Sequence, residues 1–142
     1  MSAESVTTLT KFFELVGSGE MTTALELMSP QCVVSEAPGL PFGGDYVGHE
    51  GFVNLFATIA RDFEMNINTW TISDIVGGDV VIADFAMTLQ SHVTGESLDM
   101  RTIEFYHFTD GLISAIDVFY KDSKAVADLA AGVSKGHVGA TG

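Results

Sequence analysis

The chain has 142 residues, 46% of them hydrophobic, which suits one domain of ordinary size with a sizeable core. Nineteen acidic against six basic residues give a net charge of −13. A surface that acidic repels phosphate backbones and anionic lipid, which sets nucleic acid and membrane surfaces aside as partners. Cys32 is the only cysteine, so no internal disulfide and no thiol-rich metal site can form. Between Gln31 and Val33 it reads as a buried structural thiol; a nucleophilic role would need a base that the sequence does not identify. Met1 to Thr10 lacks the basic start and apolar centre of a signal peptide, and no run of about 18 apolar residues occurs. The expectation is a cytoplasmic protein.

In chain order, Val6, Leu9, Phe12, Phe13 and Val16 have helical spacing, so Ser5 to Leu15 is read as a helix stopped by Gly17-Ser18-Gly19. Met21 to Met28 is read as a second short helix ended by Pro30, and Gln31 to Ser35 as a strand. Pro38 to Gly48 holds two of the three prolines and four glycines and is read as a loop. His49 to Phe63 is a third helix, with Phe52, Val53, Phe56, Ile59 and Ala60 on one face. The period then changes to two, and Asn66 to Ile75, Val80 to His92, Ser97 to Phe108 and Leu112 to Tyr120 read as four strands. Gly77-Gly78-Asp79, Thr94-Gly95-Glu96 and Asp110-Gly111 supply the turns. Gly132 to Gly142 is small and glycine-rich and is expected to be a disordered tail, leaving one domain over residues 1–131. Helices grouped ahead of an antiparallel sheet indicate an α+β layer fold.

Three stretches carry a resemblance. They are Phe12-Phe13 followed by Gly19-Glu20 and Leu25-Glu26-Leu27-Met28; Pro41-Phe42-Gly43-Gly44-Asp45-Tyr46-Val47-Gly48; and Phe108-Thr109-Asp110-Gly111-Leu112-Ile113 running to Phe119-Tyr120-Lys121-Asp122. In order and spacing the chain resembles the SnoaL-like, NTF2-like and ketosteroid-isomerase-like proteins from about Val6 to Asp122. The resemblance implies a cone-shaped, curved antiparallel sheet packed by N-terminal helices around one apolar pocket. It does not fix an activity, because that architecture hosts isomerases, cyclases, dehydratases, epoxide hydrolases and binding proteins.

Proton transfer on an apolar substrate needs carboxyls in a dry pocket, where desolvation lifts their pKa towards neutrality. Glu36, in Val34-Ser35-Glu36-Ala37-Pro38, looks like the catalytic aspartate of ketosteroid isomerases; the alternative is a solvated acid at a strand end. Strand alternation puts Met100, Thr102, Glu104, Tyr106 and Phe108 on one face. Glu104 there looks like the isomerases' second, hydrogen-bond-donating acid; the alternative is a pair with Arg101 or a neighbouring strand. Asp122 resembles the proton-abstracting aspartate of SnoaL-type cyclases, or caps the sheet. Phe12 matches the isomerases' oxyanion-hole tyrosine but has no proton to donate; Tyr46 or Tyr106 could substitute. Asp84 has no arginine near it within Val80 to Gln90, so an epoxide-hydrolase triad is not expected.

His107 should face away from Glu104, His49 starts a helix, and His92 and His137 read as exposed. Histidines so scattered give no metal spacing, and no cofactor motif is present. Phe85, Met87, Leu89 and Ser91 share a strand face. Phe12, Phe56, Ile116, Val118 and Tyr120 are expected to join them as walls of a ligand pocket, with Trp70 at its rim; the same residues would equally fill a closed core. The opposite face presents Ile103, Phe105, His107, Ala115, Asp117, Phe119, Ala86 and Thr88, an apolar patch that suggests a homodimer. The reading is a cofactor-independent acid/base enzyme of isomerase, cyclase or dehydratase type. Its substrate would be a small apolar carbonyl metabolite such as a polyketide or terpenoid-like compound. Glu36 would be the base, Glu104 the donor and Asp122 an alternative base. The rival is a non-catalytic small-molecule-binding or dimerisation module.

Overall fold

A computed structural model describes residues 2–74 and 79–133. The turn expected at Gly77-Gly78, His137 and most of the expected tail lie outside them. The elements run α1 (Ser2–Gly17), α2 (Met21–Leu25), β1 (Met28–Glu36), β2 (Gly44–Val47), α3 (Gly48–Asp62), β3 (Phe63–Asp74), β4 (Val80–Ser91), β5 (Ser97–Thr109), β6 (Leu112–Tyr120) and α4 (Ser123–Ala131). The six strands form one curved, unclosed sheet in the order β2-β1-β6-β5-β4-β3.

The sheet is not wholly antiparallel. β1 runs parallel to β6, with Val34 opposite Ile116 and Ser35 opposite Asp117. The chain leaves β1 through β2 and α3, traverses β3, β4 and β5, and returns with β6 alongside β1. Helices α1 and α3 cover the concave face, α3 against β1 and β3 and α1 against β3 and β4. Beneath them lies the core, including Leu9, Phe12, Phe52, Leu55, Phe85 and Ile116.

Four departures from the sequence reading have local causes. α2 stops at Leu25 and β1 already starts at Met28. Pro30 is therefore inside the strand, in a stretch between Met28 and Val33 where the β1–β6 register shifts and no ladder bond needs its missing N–H. Within the expected loop, Gly44–Val47 folds back on β1 as β2, pairing Val33 with Val47 and Glu36 with Gly44. Lastly, Ser123–Ala131 is a helix that the sequence reading did not assign. Its start is capped by Asp122, whose carboxylate accepts the Ala125 N–H at 3.0 Å, and its end by Gly132 at φ +80°.

α3 docks closely because Gly51 has no side chain. A Cβ there would lie 2.7 Å from the backbone carbonyl carbon of Tyr46. Tyr46 is fixed in turn by its hydroxyl, which donates to the Phe42 carbonyl at 2.9 Å.

Candidate functional site

Strand register brings the acids together. Glu36 sits one step past the Ser35–Asp117 pair, level with Val118, and Val118 pairs with Glu104 on the next strand. Two strand spacings separate the Glu36 and Glu104 backbones, about 10 Å, on the same face of the sheet. Curvature tilts side chains on the concave face towards each other. Both carboxyls line one cavity of about 550 Å³ between the sheet and helices α1 and α3. Ala83, opposite Glu104 on β4, adds no bulk beside that carboxyl.

The cavity is mainly apolar and aromatic. Phe12, Phe56, Trp70, Phe85, Met87, Tyr106, Ile116, Val118 and Tyr120 all line it. So does Phe13, a residue the sequence reading placed on the apolar helix face without giving it a role. Its ring centroid lies 5.3 Å from Trp70, 5.2 Å from Phe85 and 5.5 Å from Tyr106, each pair edge to face. Consecutive helical residues point about 100° apart, so Phe12 turns instead to Phe52, at 5.6 Å. Phe56 and Trp70 are 40% and 38% exposed and stand with Ile67, Asn68 and Thr69 at the open side.

Three residues nominated from the sequence are elsewhere. Leu89 is fully buried in the core and does not line the cavity. Tyr46 is on β2, its hydroxyl committed to Phe42, so it does not replace the missing donor at Phe12. Asp122 is exposed and caps α4, which turns its carboxylate from the cavity to the Ala125 amide. A base role for Asp122 is therefore not supported by its position.

Glu36 is only 7% exposed, and its Oε1 has no hydrogen-bond partner. Burial raises its pKa to about 8, and the nearby charge of Glu104 adds to the rise. Glu104 accepts a hydrogen bond from the Tyr106 hydroxyl at 2.5 Å. Its pKa is raised to about 7 by burial, with the Tyr106 bond acting in the opposite direction. The Tyr106 and Tyr120 hydroxyls are pushed well above their ordinary range, chiefly by burial and further by the two carboxyls. Both stay protonated and can only donate to an anion. Cys32 is buried and raised to about 11 by burial, which makes it a poor nucleophile.

Arg101 does not pair with Glu104. It bonds Asp84 across the strands, Nη2 to Oδ2 at 2.5 Å, on the outer face. An arginine does therefore meet Asp84, contrary to the reading within one strand, but neither residue lines the cavity. His107 is also on the outer face, with Nε2 3.7 Å from Asp117.

A search of curated proteins finds no match. Among solved structures the fold is common. An NTF2-like protein from Burkholderia xenovorans superposes with a TM-score of 0.80 at 16% identity, over 92% of this chain and 98% of that one. TerC, co-crystallised with polyporic acid, has a TM-score of 0.76 at 16% identity, over 90% and 98%. A candidate polyketide cyclase from Xanthomonas campestris has a TM-score of 0.74 at 14% identity, over 90% and 98%. Identities this low carry the fold alone. The sequence itself matches the SnoaL-like domain over residues 9–116, from within α1 to the middle of β6, a span that contains both cavity glutamates. With three quarters of its length inside that match, the chain belongs to the SnoaL-like family.

Proposed function

We propose that the protein is a cofactor-independent acid/base enzyme acting on a small, mostly apolar carbonyl compound. The observation that carries this is the pair Glu36 and Glu104, both opening on one aromatic cavity and both lifted close to neutral pH. A titratable pair in an apolar cleft is the usual arrangement for moving protons. The roles proposed are the reverse of those assigned from the sequence. Glu104, whose ionised form the Tyr106 hydroxyl favours, is the base. Glu36, with Oε1 unpartnered, is the donor.

In the step proposed, Glu104 takes a proton from the carbon beside the substrate carbonyl while Glu36 gives its proton to the carbonyl oxygen. The product of the step is the enol. Return of the Glu104 proton to a conjugated carbon, as Glu36 takes back the enol proton, completes an isomerisation. Attack of the enol on a second carbonyl, with the enol proton returning to Glu36 and the Glu104 proton passing to the new alkoxide, completes an aldol-type cyclisation. The likeness to the Xanthomonas campestris candidate polyketide cyclase points the same way for substrate class. The test is hydrogen exchange from neutral cyclic ketones in heavy water. Wild type should speed exchange, and Glu36→Gln or Glu104→Gln should each slow it by roughly a hundredfold or more. Exchange no faster than buffer across such a panel would leave a binding module. We also propose that two copies pair through the convex sheet face.

A further inference from the structure

Buried charge normally has a partner of opposite sign. Here the cavity walls hold two carboxyls and, among the described residues, no lysine, arginine or histidine. Glu104 has only the neutral Tyr106 hydroxyl, and Glu36 Oε1 is buried with no donor at all. The titratable groups around Glu36 are Cys32 on its own strand, Glu104 and Tyr106 on β5 and Tyr120 on β6. From α1, α3 and β3 the cavity receives only uncharged residues, among them Phe13, Phe56, Asn68 and Trp70. Every group near the pair is therefore neutral or acidic. No wall group supplies a counter-charge to either carboxyl when it ionises, although the space for one is present.

The rest of the lining suits an organic cation. Ring faces attract a cation, and Phe13, Trp70, Phe85 and Tyr106 form a packed set beside the carboxyls. A net charge of −13 also draws cations towards the mouth. We infer that this cavity selects apolar ligands that carry a protonated amine over neutral or acidic ligands of the same shape. The ammonium sits between Glu36 and Glu104, and the apolar body lies against Phe13, Phe85 and Trp70. Seating it draws the proton off Glu36, so binding releases protons near neutral pH and tightens as pH rises. Binding needs no proton transfer to carbon, so this preference and the enzymatic reading succeed or fail separately.

Calorimetric titration of the wild-type protein with 2-naphthylmethylamine and with 2-naphthylmethanol tests the inference. The two probes share a shape and differ in charge. At about pH 8 the amine should bind at least about tenfold more tightly than the alcohol, and the gap should narrow at about pH 6 as the carboxyls are protonated. Glu36→Gln should weaken the amine about tenfold more than it weakens the alcohol; Glu104→Gln should also narrow the gap. Equal binding of the two probes, binding of neither, or a gap that survives both substitutions would overturn the inference.

Discussion

Glu36 costs the folded protein stability once the pH exceeds the ordinary carboxyl range. Its folded pKa of about 8 lies above the ordinary value of 4.5. Between those limits the folded state holds a proton that the unfolded state has lost, so stability falls as pH rises through that window. Glu36→Gln should therefore stabilise the protein at about pH 9 by roughly 2–4 kcal/mol and change little at about pH 4. Thermal melts at the two pH values check it; equal effects at both would mean that the carboxyl is not desolvated. Tyr106 acts in the opposite sense on Glu104, because its hydroxyl favours the ionised carboxylate. Tyr106→Phe should raise the Glu104 pKa above its wild-type value, read by carboxyl NMR; a lowered value would contradict the bond's direction. At this scale the sequence is partly legible. Alternation along β5 is enough to put Glu104 and Tyr106 on one face. Phe13 gets no role, because helical spacing gives the apolar stripe without saying which of two adjacent rings meets the cavity. Tyr46 and Asp122 misplace because their fates depend on β2 and α4, which the pattern does not announce.

Elements are legible where they are long and periodic and lost where they are short. β4, β5 and β6 alternate over 9 to 13 residues, and their boundaries are readable to about one residue. β2 has four residues, begins with glycine and is mostly exposed, so period two has nothing to act on. α4 did leave a signal: an Asp122 cap, an alanine-rich run and Gly132 beyond it. Taking Asp122 as a terminal acid of the last strand hides that signal. Asp122→Ala should cost about 1 kcal/mol through loss of the cap while leaving ketone exchange within about twofold of wild type. A large loss of exchange without loss of stability would restore Asp122 as a base. Gly51→Ala tests the other junction. With a Cβ 2.7 Å from the Tyr46 backbone, α3 must shift away from β2. Destabilisation by roughly 2 kcal/mol or more is expected in denaturant titration.

For the whole molecule, the order of elements indicates α+β layering, but not that β1 inserts parallel to β6 and so sets Glu36 two strands from Glu104. That pairing joins residues about 80 apart in sequence, and no local pattern encodes it. The same sheet has a second face. Phe105 and Phe119 stack edge to face there at 5.7 Å, with Phe119 56% and Val47 63% exposed. The proposed dimer predicts a mass of twice the 15.1 kDa chain in light scattering at micromolar concentration. Phe119→Asp should give the monomer mass without loss of fold. A wild-type monomer would remove the dimer and leave the cavity unaffected.

Two carboxyls poised near neutrality inside one cavity are the centre of the proposed chemistry. Carbon-13 NMR titration of the glutamate side chains, with Glu36→Gln and Glu104→Gln as assignments, measures this directly. Glu36 should titrate near pH 8 and Glu104 near pH 7, and Glu104→Gln should lower the Glu36 midpoint. Midpoints for both near the ordinary 4.5, with Glu36 unmoved by loss of Glu104, would contradict it.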